Sequence, residues 1–266
     1  LMALSPAGEI VGRLESAGGA RIACPLSVAV APDGMICLTD GSRHNAPEQW
    51  LADLMQNRPP SGRLIVCNAA LGEARVRADK LAWPLGLAVS HDGNEILVAE
   101  SWTHRLTAFA RTGSAARVIV RNYSGYPARL SRDAAGGYWM AFFALRTQLT
   151  EFVLRERAFC DEMMRTVPPD LWIGPALDGR LNPREPTQIG RIKKLGIQKP
   201  WAPARSYGLV ARLDGAGEAV ETLHSRVDGR THGVVAVRPV GNRVVAVVKG
   251  RDCLVALPPS GGVREG

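Results

Sequence analysis

The sequence predicts an all-β protein, a six-bladed β-propeller with a helical, lid-like insertion. The main observation is a repeat: four times an alternating apolar stretch turns on a glycine and returns on a second such stretch. In each copy the glycine lies nine positions after the first residue. A repeated unit of this kind cannot bury its own apolar face, so neighbouring copies must stack. The copies span residues 25–40, 84–100, 127–142 and 232–247, with turn glycines Gly34, Gly93, Gly136 and Gly241.

The spacing of the copies is typical of propeller blades. The second and third copies begin at Pro84 and Pro127, which are 43 residues apart, and a second polar, glycine-containing hairpin lies between them. The other two intervals, 59 and 105 residues, approach this value once residues 41–60 and 144–205 are set aside as insertions. A period of about 40–45 residues with four antiparallel strands indicates a blade.

Both ends of the chain predict partial blades. Residues 1–15 read as an outer hairpin without its inner strands, and a similar partial unit begins at Cys253. Since an open blade leaves strand edges unpaired, four blades and two partial edges favour a six-bladed ring. We therefore expect blade material to be missing at the N-terminus, where Leu1 replaces a start methionine. A closed four- or five-bladed ring is the alternative. Residues 1–266 are expected to form a single domain, interrupted by the insertion.

Composition limits the class of protein and of partner. With 266 residues, 46% of them hydrophobic, the chain can bury one substantial core. Its apolar runs fall short of the roughly 20 residues that span a membrane, and no targeting signal is recognisable, so the compartment stays open. The net charge is +8, but the basic residues are scattered without RNA-binding aromatic motifs, which argues against a nucleic-acid partner. The five cysteines fit neither zinc nor disulfide spacing, which predicts buried thiols.

The insertion at residues 144–205 predicts a helix followed by a loop rich in proline and glycine. Apolar residues recur there at three- and four-residue intervals, and Pro168 and Pro169 end the pattern. We expect this segment to cover the central pocket as a lid, or to pack on the propeller face; a membrane-surface contact is a third interpretation. The residues assigned to one helical face are Leu149, Phe152, Val153, Cys160, Met163, Met164 and Val167.

Several of these motifs resemble a known family. The blocks are WPLGLAVSHDGNEILVAESWTHRLTAF from Trp83, GYPARLSRDAAGGYWMAFF from Gly125, the insertion, and YGLVARLD from Tyr207. In their order and spacing they resemble the strictosidine-synthase-like proteins, relatives of the SMP-30/gluconolactonase and paraoxonase propellers. The resemblance implies a six-bladed propeller and, for an enzyme, hydrolysis of an ester or lactone. One fold carries many functions, so the residues of the site must decide the activity.

The resemblance also implies a metal site that this chain lacks. In the lactonase relatives, acidic and amide side chains of the inner strands hold a divalent cation, and calcium requires such oxygen ligands. The matching positions here are Leu85, Ala128, Leu26 and Ser27. Because leucine and alanine side chains cannot coordinate a hard cation, we expect that the calcium site is lost and that the protein has no cofactor.

The catalytic glutamate of strictosidine synthase is also absent. Its position falls on Gly233 or Val234, neither of which can move a proton, so alkaloid condensation is disfavoured. The neighbouring His232 can act as a general acid or base, and we predict it as the catalytic residue. A structural or turn role for His232 is the alternative.

Residues at the starts of the inner strands are expected to line a central pocket. Among them Arg129 can bind a carboxylate or phosphate at two points, and we expect it to face one pocket with His232. Pairing of Arg129 with a carboxylate of a neighbouring blade is the alternative. The partner predicted in this way is a small organic ligand with an anionic group. The candidate ligand-binding residues are Arg129, Tyr126, Leu85 and Leu26.

Two hypotheses for the function remain open. The first is an ester or lactone hydrolase, and the second is a propeller that binds a ligand or a partner without catalysis. Asp40, Glu100 and His104 lie at strand ends, where contacts between blades occur, and are predicted to be structural.

Overall fold

The alternating stretches of sequence fold into antiparallel strands, and these strands form four successive sheets. The computed structural model describes residues 1–179, 193–194, 197–198, 206–226, 231–241 and 243–257. The chain divides into two units. The first comprises Leu1–Leu54 and Arg58–Asn122, and the second comprises Met55–Asn57 and Tyr123–Gly266.

Two short hairpins begin the first unit. Strand β1 (Met2–Leu4) pairs with β2 (Ile10–Arg13), and β3 (Ser16–Ala17) pairs with β4 (Ala20–Arg21). The β1–β2 hairpin is the outer hairpin that the sequence predicts. Its Ala3 packs against an apolar cluster of the first blade, which ties the hairpin to that blade.

The first unit then forms two four-stranded blades, each with its strands in sequence order. Residues 41–60 carry the helix α1 (Trp50–Gln56) between the second and third strands of the first blade. The first blade contains β5 (Pro25–Val30), β6 (Ile36–Asp40), β7 (Gly62–Cys67) and β8 (Arg75–Leu81). The second contains β9 (Pro84–Val89), β10 (Glu95–Glu100), β11 (Arg105–Ala110) and β12 (Ala116–Val120).

An apolar core lies between these two blades. Every residue of β9 is buried, so both faces of this strand are covered, as expected for stacked sheets. Cys37 belongs to this core, and burial raises the pKa of its thiol to about 12. The thiol therefore stays protonated and acts as a small apolar group. The largest apolar contributors include Leu64, Leu87, Ile96, Val98 and Phe109.

The second unit contains the third blade and the insertion. The first two strands of this blade are β13 (Gly125–Arg132) and β14 (Tyr138–Leu145). The insertion follows β14 and includes α2 (Gln148–Val153), α3 (Arg157–Thr166), β15 (Lys193–Lys194) and β16 (Ile197–Gln198). Strands β17 (Leu209–Leu213) and β18 (Ala219–His224) complete the four-stranded sheet.

The insertion contains two helices where the sequence predicts one. The chain leaves the helical path between α2 and α3, so the two halves of the periodic pattern do not share a face. Val153, Cys160 and Met163 are buried as expected, but Phe152 is 61% exposed, and its assignment to the buried face is wrong. Helix α3 ends at Thr166, just before the predicted stop at Pro168.

The fourth blade consists of β19 (Val234–Val240), β20 (Arg243–Val248) and β21 (Cys253–Ala256), three strands within the described residues. The prediction of propeller blades is confirmed, but the count of six is not, because the described part of the chain forms four. The partial unit predicted from Cys253 begins no further blade, since β21 pairs with β20. The partial unit at the N-terminus forms only a two-stranded hairpin.

No helix within the described ranges is long and apolar enough to cross a bilayer.

A buried ion pair joins three strands at one edge of the first blade. Asp40, at the end of β6, accepts hydrogen bonds from the Arg63 guanidinium at 2.5 and 3.1 Å and from the Cys24 amide at 2.7 Å. The side chains of Asp40 and Arg63 are at most 1% exposed. Arg63 also donates to the carbonyl oxygens of Ala17 and Arg21, at 2.9 and 2.7 Å. The pair therefore fixes the ends of β5, β6 and β7 together with the preceding hairpin.

The second blade repeats this arrangement at the same strand positions. Glu100, at the end of β10, accepts two hydrogen bonds from Arg105, at 2.6 and 3.0 Å. It also accepts one from the Ala82 amide, at 2.9 Å, just before β9. We call each of these two arrangements a carboxylate–arginine brace. Their presence bears out the structural role predicted for Asp40 and Glu100.

Removing one partner of a brace is expected to destabilise the fold strongly. In the variant Arg63→Met the buried Asp40 carboxylate loses its counter-charge, so the free energy of unfolding should fall by about 3–5 kcal/mol. Arg117→Met is the matched control, because Arg117 pairs with Glu95 at an exposed site of the second blade. Its loss should stay below about 1 kcal/mol. Urea unfolding of the two variants makes the comparison, and equal losses would contradict the assignment.

Candidate active site

The candidate site lies at one edge of the second unit, where several strand ends meet. In an antiparallel sheet the start of the first strand, the end of the second and the start of the third share an edge. In the third blade this edge carries three such residues. Tyr126 lies at the start of β13, Arg146 follows the end of β14, and Ser206 precedes the start of β17. The start of the fourth blade adjoins it, because the Gly233 amide donates to the Tyr207 carbonyl oxygen at 2.9 Å. His232 is thereby placed at this edge.

His232 forms a buried hydrogen-bonded pair with Ser206. The Ser206 Oγ lies 2.8 Å from the His232 Nδ1, and the two residues are 4% and 3% exposed. The other ring nitrogen, Nε2, lies 3.0 Å from the carbonyl oxygen of Arg226. The ring of Tyr207 lies beside the imidazole, with 6.2 Å between the ring centroids.

These contacts determine which nitrogen of the neutral imidazole carries the proton. A backbone carbonyl oxygen can only accept, so Nε2 must be the protonated nitrogen and donate to Arg226. Nδ1 then has a free lone pair, and the Ser206 hydroxyl donates to it. A serine hydroxyl aimed at the basic nitrogen of an oriented histidine is the arrangement that activates a nucleophile.

A short piece of the insertion packs against this pair. A side-chain carbon at Gly179 would lie 3.0 Å from the His232 Nδ1 and 3.2 Å from the Ser206 Oγ. Two residues earlier, the backbone of Leu177 lies close to two further glycines. A side-chain carbon at Gly233 would lie only 2.4 Å from the Leu177 carbonyl oxygen, and one at Gly250 only 2.1 Å from it. Glycine at these positions therefore permits the close approach. We call residues 177–179 the cover.

Tyr126 lies at the same edge, and its own side chain is fully buried. Burial raises the pKa of its hydroxyl, and the nearby charge of Glu151 raises it further. Glu151 of α2 forms an ion pair with Arg146, with 2.9 Å between Nη2 and Oε2. The ring of Tyr126 packs on Phe143. The Tyr126 phenol therefore stays protonated at neutral pH.

Arg129 lies in the middle of β13 and is exposed, so the prediction that it begins the strand is wrong. Neighbouring protein atoms withhold part of its hydration, which lowers the pKa of the guanidinium from its ordinary value. The side chain still reaches solvent, and an arginine guanidinium stays protonated in proteins, so the group remains charged. A common pocket for Arg129 and His232 stays a prediction.

The other two predicted ligand-binding residues belong to the first unit. Leu85 is buried and Leu26 is half-buried. Their strands are neighbours, because the Ser27 hydroxyl donates to the Leu85 carbonyl oxygen at 2.7 Å. The same contact recurs in the second unit, where the Ser131 hydroxyl donates to the Val237 carbonyl oxygen at 2.7 Å. These contacts hold adjacent inner strands together, and a ligand-binding role for the two leucines stays a prediction.

Within the described ranges, no three His, Cys, Asp or Glu side chains cluster in a way that could hold a metal ion. Of the four positions that the family resemblance assigns to metal ligands, Leu85 and Ala128 are buried and apolar. The loss of calcium binding stays an expectation.

Sequence reasoning missed Ser206. It follows the insertion directly and belongs to no repeat copy and no recognisable motif. Its partner, His232, lies 26 positions further along the chain, and the residue that orients the histidine does so through its backbone carbonyl. No side-chain pattern could have indicated that contact.

Comparisons with known proteins bear on the family. The strictosidine synthase family model matches residues 27–113, which run from β5 to the end of β11 and the turn beyond it. Protein STRICTOSIDINE SYNTHASE-LIKE 6 of Arabidopsis thaliana is 28% identical over 127 residues, 48% of this chain and 34% of that protein. The adipocyte plasma membrane-associated protein of Bos taurus is 30% identical over 145 residues, 52% of this chain and 35% of that protein. The resemblance to strictosidine-synthase-like proteins is confirmed.

A solved structure supports the same fold. A gluconolactonase from Xanthomonas campestris superposes with a TM-score of 0.55 and 16% identity, over 97% of this chain and 64% of that one. At this identity the match shows the fold alone, an all-β propeller. The chain spans about a third of the length of the curated relatives it matches. The family-model match ends before Arg129, Ser206 and His232, so it assigns them no role.

The contact of the cover with Ser206 and His232 can be tested by adding one methyl group. In Gly179→Ala the new carbon should press on Ser206 and His232 and destabilise the fold by about 1–3 kcal/mol, as overpacking does. Gly215→Ala is the matched control, because the nearest atom to its new carbon is 3.5 Å away. Its effect should stay within about 0.5 kcal/mol. Thermal unfolding measures both, and an unchanged Gly179→Ala would show that the cover does not contact the pair.

Proposed function

We propose that the protein is a hydrolase that cleaves an ester or lactone bond in a small organic molecule, with His232 as the general base. The observation that carries the proposal is the oriented imidazole: Nε2 is held by the Arg226 carbonyl oxygen, and Nδ1 keeps its lone pair toward Ser206. A base fixed in one tautomer contributes typically 10²–10⁴-fold to a rate. The mechanism requires no metal at this edge.

The relatives support the class of reaction without fixing it. The fold is shared with a gluconolactonase, an enzyme that acts on a lactone, and His232 can perform the proton transfer that such a reaction needs. A six-bladed ring, which the sequence predicts, would need two blades more than the four described, and it remains part of this proposal. A nucleic-acid partner is not proposed.

A propeller that binds a ligand without catalysis is the second candidate. The observation that favours it is burial: both ring nitrogens of His232 already have protein partners, and the cover lies against the pair. In that case Ser206 and His232 would hold the insertion on the blade. The two candidates differ in turnover, which can be measured directly.

A hydrolase with this base should turn over aryl esters or lactones without metal. We expect the wild-type protein to hydrolyse members of a panel of p-nitrophenyl esters and γ- and δ-lactones. The substitution His232→Gln should reduce the rate at least about 100-fold, because glutamine cannot take up a proton. Neither EDTA nor millimolar calcium should change the rate or the melting temperature. Absence of turnover across the panel would favour the binding protein, and loss of turnover with EDTA would restore the metal mechanism.

We further propose that Arg129 binds an anionic group of the substrate. The Arg129 guanidinium is exposed and positively charged, so it can meet an anionic ligand. Its planar group donates two parallel hydrogen bonds to a carboxylate. Substrates with a carboxylate should therefore be preferred over neutral analogues.

The role of Arg129 can be tested by removing its charge at nearly constant length. In Arg129→Met, binding of a carboxylate such as benzoate, measured by calorimetry, should weaken by about 1.5–3 kcal/mol. Arg132→Met, at an exposed arginine that ends β13, is the control and should leave the affinity unchanged. Equal affinities for the two variants would remove Arg129 from the site.

A further inference from the structure

We propose that Ser206 is the covalent nucleophile of the hydrolase, so that the reaction passes through an acyl-enzyme on its Oγ. The inference rests on the proposed function and deepens it, because His232 as general base could equally activate a water molecule. What selects the serine is the hydrogen bond already formed. The Nδ1 of His232 lies 2.8 Å from the Ser206 hydroxyl oxygen, which is the distance of a formed O–H···N hydrogen bond.

The three groups have the order that a serine nucleophile requires. Ser206 donates to Nδ1, and Nε2–H donates to an acceptor that holds the ring in place. Here that acceptor is the Arg226 carbonyl oxygen instead of a carboxylate. A neutral acceptor stabilises the imidazolium less than a carboxylate does, but it also fixes a single tautomer, here with the proton on Nε2 and with Nδ1 facing the serine. The roles of such groups are recognised by geometry, whatever their position in the sequence.

The chemistry balances with these residues, substrate and water. The Ser206 Oγ attacks the carbonyl carbon of the ester while its proton passes to the His232 Nδ1. The bond between that carbon and the leaving oxygen breaks, and the proton on Nδ1 passes to the leaving oxygen, which departs as an alcohol. Water then attacks the acyl group and gives its proton to Nδ1. The bond to Oγ breaks, Oγ recovers the proton, and the carboxylic acid leaves.

Access to Ser206 requires movement of the cover, because the residue is only 4% exposed. The structure indicates where such movement would begin. Trp172 is buried and its Nε1 donates to the Val167 carbonyl oxygen at 2.8 Å, so the chain is anchored there. Beyond this anchor, the contacts of the cover with Gly233 and Gly250 are made by the Leu177 backbone. Lifting the cover would therefore separate the Leu177 backbone from these two glycines while Trp172 stays in place.

The substrate class follows from the nucleophile. A serine nucleophile transfers the acyl group of esters and lactones with an accessible carbonyl carbon. It is also phosphonylated irreversibly by fluorophosphonates, which react with an activated serine hydroxyl. An ordinary hydrogen-bonded serine lacks this reactivity, so the probe distinguishes the two.

The test is to treat the wild-type chain with a fluorophosphonate and to locate the adduct by peptide mass spectrometry. We expect one adduct per chain, on Ser206, and a burst of p-nitrophenol of up to one equivalent with p-nitrophenyl acetate. The yield of the adduct and the size of the burst should each fall at least about 100-fold in Ser206→Ala and in His232→Gln. Ser225→Ala is the matched control, because Ser225 lies in the same unit and its hydroxyl accepts from the Gly208 amide. This variant should keep both the adduct and the burst.

The outcomes separate this inference from the proposed function. Turnover by the wild-type chain with no adduct on Ser206 would overturn the nucleophile and leave a hydrolase that activates water. An adduct on Ser206 without turnover of any ester or lactone would support the activated serine and overturn the hydrolase. An adduct on another residue would also overturn the inference. Mapping on the wild-type chain needs no variant, so the test stands even if Ser206→Ala fails to fold.

Discussion

Each of the first two blades depends on one buried carboxylate at the edge where its strands begin and end. A carboxylate removed from water is costly unless charged and amide donors surround it, and here both kinds are supplied by the strands themselves. Asp40 and Glu100 each join a backbone amide just before the first strand to an arginine at the start of the third. Shifting any of these strands by one residue would leave a buried charge without its partners. The brace therefore fixes the register of the blade as well as its stability.

The second unit lacks this constraint at the corresponding positions. Pro127 pairs with Phe142, as Pro84 pairs with Glu100 in the second blade, and Phe142 pairs across the sheet with Leu209. In the fourth blade the matching pair is Val248 and Cys253. Apolar pairs occupy these positions in place of the carboxylate and arginine of the first two blades, and the ion pair at this edge of the third blade joins Arg146 to Glu151 of the insertion. The insertion leaves the third blade at this edge and returns to it, and Ser206 and His232 meet there.

The sequence predicts the fold well because strands and turns are local patterns. Alternation and the turn glycines predict the four repeated strand pairs, and the structure contains all four. The count of six blades is not confirmed, and it rests on the two ends of the chain, which look like parts of further blades. Whether a strand such as β21 starts a blade or completes one depends on its pairing with β20, which is a contact between chain segments. Phe152 is a similar case, because periodicity places it on one face with Val153, whereas in α2 Val153 is buried and Phe152 is exposed.

The candidate site was predictable only in part, for a related reason. His232 stands out because few side chains move a proton near neutral pH. Its geometry depends on Ser206 and on the Arg226 backbone, and a backbone carbonyl leaves no mark in a sequence.

The burial of the pair has two opposite effects on its chemistry. Exclusion of water strengthens the hydrogen bond between Ser206 and His232 and protects the single tautomer, because the local dielectric constant is low. The same burial keeps substrate out for as long as the cover rests on Gly233 and Gly250. The cover meets these glycines through the Leu177 backbone, and the chain before it is anchored by Trp172 and by the Ile173 amide, which donates to the Met163 Sδ at 3.3 Å. The protein can therefore keep an ordered pair when it is closed and expose it by moving a few residues, whereas a cover locked by large side chains would have to disrupt the core of the blade.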